Sequence, residues 1–287
     1  MMTKNNQDKE VYILGSESGK GRKKEPKRNL VILLLCVLLA VFAVIIFFFF
    51  RKKEQTPEYF FEPEQTEQQS VSVETTNSII NTGKTPYTEI AVETTNNVPL
   101  LIYTPHNATM SLMVGMPDKS DSGIVFAAMA ADIRKDNMQI VGDFVLSGKQ
   151  LARGVAKKGY AAIEGNKITI GAGESTPLLQ HTIDNNGYFF RQYPLVSNGE
   201  LVENKPKNKS IRRALAVRNE QVIMVESKNK ESFHDFSQAL IDIGVSNAIY
   251  LVGSDSFGWY HDSEFVRQEF GRELPDIPDN ISYIIWR

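Results

Sequence analysis

The chain has 287 residues, of which 42% are hydrophobic, and its formal net charge is −2. This length allows one or two domains with hydrophobic cores of their own. The balance of charges excludes a basic nucleic-acid-binding domain, and the single cysteine, Cys36, excludes a disulfide framework.

The first predicted element is a membrane-spanning helix at residues 30–50. This block contains no charged residue, and about 20 apolar residues in a helix cross the roughly 30 Å hydrocarbon core of a bilayer. Six basic residues lie between positions 20 and 28, against three at positions 51–53, so the tail of residues 1–29 is predicted to be cytoplasmic. The alternative, a cleaved signal peptide, needs a shorter apolar stretch and a small-residue cleavage site. The sequence therefore predicts a single-pass membrane protein whose C-terminal part is periplasmic or extracellular.

A flexible stalk is predicted for residues 51–85. After the basic residues that follow the apolar block, this segment is rich in Glu, Gln, Thr and Ser, and it contains Pro57 and Pro63. Regular hydrophobic patterning begins near Tyr87 and continues to the last residue. Residues 86–287 are therefore predicted to form one globular domain.

Short β-type runs dominate this domain, and one segment has a helical period instead. Residues 231–243 place four apolar side chains on one face of a helix, Phe233, Phe236, Leu240 and Ile241. Gly244 follows as a residue suited to end that helix. The predicted runs of β type are residues 98–103, 109–114, 124–128, 139–146, 167–170, 213–217, 221–225, 248–252, 257–261 and 281–286. The predicted fold class is α+β, with a β-rich domain and one clear amphipathic helix.

The sequence predicts neither a metal site nor a cofactor, because its four histidines are scattered without metal-ligand spacing. The turn at Gly253–Ser256 follows a predicted strand and is more informative. Successive backbone N–H groups at such a turn can form an anion-binding nest suited to phosphate. The alternative is an ordinary turn.

Several segments resemble, in order and spacing, the phosphodiester glycosidase family, which includes a lysosomal mannose 6-phosphate uncovering enzyme and bacterial exported proteins. Residues 247–256 (NAIYLVGSDS) are similar to the family's NALNLDGGGS segment, and residues 210–217 (SIRRALAV) to its RTAIG strand. Residues 192–199 (QYPLVSNG) resemble a segment that begins with SGP, and residues 126–132 (FAAMAAD) resemble FAMNAG. The resemblance covers about half of the chain and implies a hydrolase that acts on a sugar phosphodiester.

The resemblance also implies site residues. Arg212 matches the family arginine, and Gly253 and Ser256 match residues of the glycine turn, so these three are candidate substrate-binding residues. Asp255 is a candidate replacement for the lost catalytic carboxylate of that turn. The departures from the family fall where its chemistry resides, at Met129, Ala131, Gln192, Tyr193, Val252, Ser254 and Asp255.

Two functional hypotheses follow from these observations. In the first, a membrane-anchored glycosidase acts on a sugar phosphodiester or an envelope glycan, with a phosphorylated sugar as its ligand. In the second, the domain keeps the scaffold as a catalytically inactive binding or structural module of a bacterial cell envelope. The second is favoured on mechanism, because a valine at position 252 can neither protonate a leaving oxygen nor stabilise an oxocarbenium-like state.

Overall fold

The computed structural model describes residues 60–61, 73–78 and 84–287. The predicted membrane helix at residues 30–50 and the basic tail before it lie outside the described residues. Within the described part of the chain, no helix is long and apolar enough to cross a membrane. The described residues all belong to the structural unit Thr56–Arg287.

The described residues form twenty strands and two helices. In chain order these are β1 (Phe60–Phe61), β2 (Val73–Ser78), β3 (Tyr87–Thr95), β4 (Val98–His106), β5 (Met110–Val114), β6 (Phe126–Met129), β7 (Ile133–Arg134), β8 (Phe144–Leu146), β9 (Lys149–Ala152), β10 (Gly159–Glu164), β11 (Lys167–Ala172), α1 (Pro177–Asp184), β12 (Tyr188–Gln192), β13 (Pro194–Ser197), β14 (Glu200–Leu201), β15 (Arg213–Arg218), β16 (Gln221–Ser227), α2 (Phe233–Asp242), β17 (Val245–Leu251), β18 (Gly258–His261), β19 (Arg267–Phe270) and β20 (Ser282–Trp286).

The strands form three large sheets and one short pair. The six-stranded sheet has the order β2-β11-β10-β12-β8-β9, and the seven-stranded sheet has the order β14-β13-β17-β15-β16-β4-β3. The five-stranded sheet has the order β19-β18-β6-β20-β5, and β1 pairs in parallel with β7. The prediction of a β-rich α+β domain is confirmed.

Tight hairpins connect several neighbouring strands. Asn96 and Asn97 join β3 to β4 with φ angles of 48° and 63°, as in the two-residue turns whose twist matches that of the strands. Asn219 and Glu220 join β15 to β16 in the same way, with φ angles of 51° and 59°. These two strands contain the predicted β-type runs at residues 213–217 and 221–225, and Arg218 belongs to the first strand.

The predicted amphipathic helix is α2. Ser232 caps its N-terminus, where the serine hydroxyl accepts a hydrogen bond of 3.0 Å from the backbone N–H of Asp235. The side chains of Phe233, Phe236 and Leu240 are all buried, as their spacing predicted. The shorter helix α1 was not predicted.

Two hydrophobic cores lie on opposite faces of the seven-stranded sheet. Leu215 and Val217 of β15 point into the larger core, which the other two large sheets also line. Ala214 and Ala216, which alternate with them, face the core that contains α2. The same sheet holds the start of β15 and the end of β17, where the predicted site residues Arg212 and Gly253–Ser256 lie.

Two segments of the predicted stalk pair with strands of the domain. Phe60–Phe61 lie alongside β7, and Val73–Ser78 extend the edge of the six-stranded sheet by pairing with β11. Strand pairing in this chain thus begins before the predicted domain boundary at residue 86.

Candidate functional site

The strand ends singled out by the sequence carry a buried cluster of three polar side chains. Lys157 forms an ion pair with Asp132, and its Nζ lies 2.8 Å from Oε1 of Gln192. The Nε2 of Gln192 donates to Asp132 Oδ1 at 2.7 Å, which closes the cluster. The exposed fractions are 2% for Lys157, 5% for Asp132 and 0% for Gln192. The positive and negative charges therefore neutralise each other away from bulk water.

Tyr193 covers this cluster with its ring. The Nζ of Lys157 lies 4.2 Å from the centre of the ring, within cation–π range. The Tyr193 ring also packs edge-on against the ring of Phe233 in α2, with 5.4 Å between the ring centres. Tyr193 stands where the resemblance has a glycine, so a large side chain fills space that a glycine would leave open.

A second buried network surrounds Arg213, at the start of β15. Arg213 forms an ion pair with Glu226 and a hydrogen bond with the hydroxyl of Ser256. Its Nη1 also donates to the carbonyl oxygen of Ser256 at 2.8 Å and to that of Val252 at 3.4 Å. The guanidinium group therefore lies against the inner side of the turn that follows β17.

The carboxylate of Glu226 has a further partner in Tyr103. Burial raises the pKa of the Tyr103 phenol, and the negative charge of Glu226 raises it further. The phenol therefore stays protonated and donates its hydrogen to Glu226. Glu226 is thus held between an arginine and a tyrosine, both of them buried.

The backbone N–H groups of Gly253, Ser254 and Ser256, three of the four residues of the turn, make hydrogen bonds inside the domain. Gly253 donates to the phenol oxygen of Tyr250 at 3.1 Å, and Ser254 donates to the carbonyl oxygen of Ile211 at 2.8 Å. Ser256 donates to the carbonyl oxygen of Gly253 at 3.0 Å. A Cβ at position 253 would overlap the carbonyl oxygen of Ile211, so the close packing of the backbone requires a glycine here. The arrangement is that of a tightly held turn.

Arg212 is buried on the opposite side of its strand from Arg213. Its Nε donates to the carbonyl oxygen of Glu231 at 3.0 Å, and its Nη2 donates to that of Asn208 at 2.5 Å. The guanidinium group also lies 4.0 Å from the centre of the Phe233 ring, whereas that of Arg213 lies beside Phe270. Successive residues of an extended strand point to opposite faces, so the two adjacent arginines serve different networks.

Asp255, the fourth predicted site residue, lies on the surface of the turn. Its side chain is 66% exposed and forms an ion pair of 3.2 Å with the equally exposed Arg272. The turn thus brings Gly253, Asp255 and Ser256 together, with Ser256 bonded to Arg213. Arg213 and Lys157 were missed by the sequence reasoning. Only one feature of the sequence points to Arg213. Two consecutive arginines in an extended strand place their side chains on opposite faces, so Arg213 faces away from the side on which Arg212 lies.

Within residues 84–287 and the two short strands before them, no group of three or more metal-ligating side chains could hold a metal ion. The described histidines pair instead with single acceptors. His106 and His234, for example, contact Glu89 and Glu203.

No family model matches the chain, and no curated protein matches it. Solved structures do match. One is the catalytic domain of a zebrafish N-acetylglucosamine-1-phosphodiester alpha-N-acetylglucosaminidase auto-inhibited by its pro-peptide, with a TM-score of 0.52 and 14% sequence identity, covering 75% of this chain and 87% of that one. Another is a hypothetical protein from Synechocystis, with a TM-score of 0.50 and 12% identity, covering 69% of this chain and 61% of that one.

These matches show a fold likeness at low sequence identity. The chain is distantly related in fold to a phosphodiester glycosidase domain. It spans about three fifths of the length of the Synechocystis structure.

Proposed function

We propose that residues 86–287 form a non-catalytic glycan-binding module of a membrane-anchored cell-envelope protein. One observation carries the proposal. Beside the segments that resemble the phosphodiester glycosidases, the buried charged side chains of this chain neutralise one another in the interior. The pairs are Lys157 with Asp132, and Arg213 with Glu226.

Hydrolysis of a glycosidic bond needs a group that protonates the leaving oxygen and a group that stabilises the positive charge at the sugar. Asp132 and Glu226 are carboxylates near the relevant strand ends, but each is buried against a cation. The position of the turn aspartate is taken by Val252, which has no polar side chain. Asp255 points to solvent beside Arg272. These features favour binding over hydrolysis.

The Gly253–Ser256 turn and the buried groups around Arg212, Arg213 and Lys157 are called the strand-end site below. Binding of a phosphate inside it would need hydrogen-bond donors that can be released to the phosphate. The donors of Arg212 and Arg213 are engaged with carbonyl oxygens and a carboxylate in the interior. Withdrawing them would leave those buried acceptors unsatisfied, which costs more than an ordinary hydrogen bond gains. A glycan should therefore bind at the outer surface of the domain.

Hydrolytic activity tests this proposal directly. The full-length chain, purified in a mild detergent, should release no sugar above the buffer background from a synthetic N-acetylglucosamine phosphodiester. The Val252→Asp variant serves as the companion, and it should be equally inactive because Met129, Gln192 and Tyr193 still depart from the family. Robust hydrolysis by the unmodified protein would refute the non-catalytic role.

The membrane anchor is supported by the uncharged block at residues 30–50 and by the excess of basic residues before it. A reporter enzyme that is active only in the cytoplasm, fused after Arg287, should therefore be inactive. The same reporter fused before residue 30 provides the positive control. Activity of the C-terminal fusion would overturn the proposed orientation.

A further inference from the structure

Two neighbouring loops concentrate positive charge on one part of the surface. The first follows β14 and the second follows β16, and in each loop every second residue over a short stretch is a lysine. All of these lysines are exposed. They are called the lysine patch below: Lys205, Lys207, Lys209, Lys228 and Lys230.

The interior of the domain holds the two loops together. Ser210 and Glu231 exchange backbone hydrogen bonds of 3.1 Å and 2.7 Å, so the end of the first loop is joined to the end of the second. Arg212 donates to the carbonyl oxygens of both Asn208 and Glu231. Pro206 restricts the backbone of the first loop further. The lysine patch is therefore part of the fixed architecture.

The charges of the patch are only partly compensated. Lys209 lies 3.5 Å from Asp235 and 3.9 Å from Glu231. Among the described residues, no carboxylate lies within 4.0 Å of Lys207, Lys228 or Lys230. Five lysines on these two loops thus outnumber the three carboxylates beside them, Glu203, Glu231 and Asp235. Like charges repel, so an anionic partner would relieve this repulsion.

The spacing of the lysines suits a linear partner. Residues two apart along a chain are separated by at most about 7 Å, so each loop can meet successive charges of one extended polymer. The patch also borders the strand-end site. Ile211 follows the first loop directly, and its carbonyl oxygen accepts the N–H of Ser254 in the turn.

We propose that the lysine patch binds a linear anionic polymer whose units are linked by phosphodiesters. The choice of this polymer rests on the proposed function, in which a cell-envelope glycan binds at the outer surface of the domain, and phosphodiester links would give such a glycan regularly spaced negative charges. The patch itself supplies the attraction through its ammonium groups, and the interior network supplies the fixed spacing of the two loops. The strand-end site takes no part in this contact.

The test uses fluorescent poly(glycerol phosphate) and the full-length chain in a nonionic detergent. The triple variant Lys207→Gln, Lys228→Gln and Lys230→Gln removes the three lysines that lie away from described carboxylates. Its affinity should fall at least about ten-fold at moderate salt, since each lysine near a charged surface contributes appreciably. The dependence of affinity on salt should also become shallower, because fewer counterions are released.

The matched control is Lys135→Gln, Lys149→Gln and Lys167→Gln, which makes the same change in net charge at exposed positions elsewhere. This control should bind the polymer within about two-fold of the unmodified protein, because these three lysines lie outside the two loops of the patch. Equal losses in the two triple variants would overturn the patch as the binding surface. Absence of polymer binding by the unmodified protein would overturn it as well.

Mixed micelles of the same detergent with phosphatidylglycerol distinguish a polymer from a membrane surface. Protection of the patch lysines from chemical acetylation by these micelles but not by poly(glycerol phosphate) would show a lipid partner and overturn the proposed one. The outcome is separable from that of the hydrolysis assay. A chain that cleaves sugar phosphodiesters but binds polymer through the patch would refute the non-catalytic role and leave this inference standing.

Discussion

Replacement of Lys157 by methionine should lower the free energy of unfolding by about 3–5 kcal/mol, the usual loss when one partner of a buried ion pair is removed. Methionine approximates the length of the lysine stem but cannot donate hydrogen bonds. The carboxylate of Asp132 would then remain in the interior with Gln192 as its neighbour. Urea unfolding, followed by the fluorescence of the buried Trp259 and Trp286, measures the loss.

A double-mutant cycle shows whether the loss comes from the pair. Asp132→Asn removes the negative charge with little change in shape. The variant that carries both changes should be more stable than the sum of the single losses predicts, by at least about 1 kcal/mol. The control is Lys119→Met, which breaks the exposed ion pair with Glu273 and should cost no more than about 1 kcal/mol. A loss at position 157 as small as that of the control would contradict the enclosed cluster.

Phe236→Ala should also destabilise the domain strongly, by about 3–5 kcal/mol. The side chain of Phe236 is fully buried between α2 and the seven-stranded sheet. Truncation to alanine removes most of its contacts and leaves a cavity that neighbours such as Leu240 and Val245 fill only in part. The midpoint of urea unfolding should shift, with little change in its slope.

The matched control for this second variant is Phe265→Ala, in the hairpin between β18 and β19. Phe265 is 41% exposed, so its truncation should cost less than about 1 kcal/mol. If Phe236→Ala cost as little as Phe265→Ala, the predicted face of α2 would not be a core face.

The parts of the fold that follow from local patterns were predictable from sequence. Helix α2 has a capping serine and an apolar face, of which Phe233, Phe236 and Leu240 are buried as expected. The fourth predicted residue, Ile241, is partly buried. Helix α1 was missed because its eight residues bury only Thr182. Its start signals, Thr176 followed by Pro177, were present in the sequence.

The polar clusters could not be predicted, since their members are far apart in the chain. Lys157 is 25 residues from Asp132 and 35 from Gln192, and the contacts bring together the loop after β6, the loop before β10 and the end of β12. Lys157 and Lys158 look alike in the sequence, yet only the first is enclosed. The arginine pair shows the same limit, because a sequence match at Arg212 could not reveal that Arg213 supports the turn.

The seven-stranded sheet has a consequence for how the domain loses its structure. Alternate side chains of β15 pack into two cores. Unfolding of either core would therefore expose one face of strands whose other face still packs into the second core. Amide protons of β15 and β17 should therefore exchange only through global opening. The loss of stability caused by Phe236→Ala, on one side of this sheet, should then shift the whole unfolding curve, and unfolding should remain a single cooperative step.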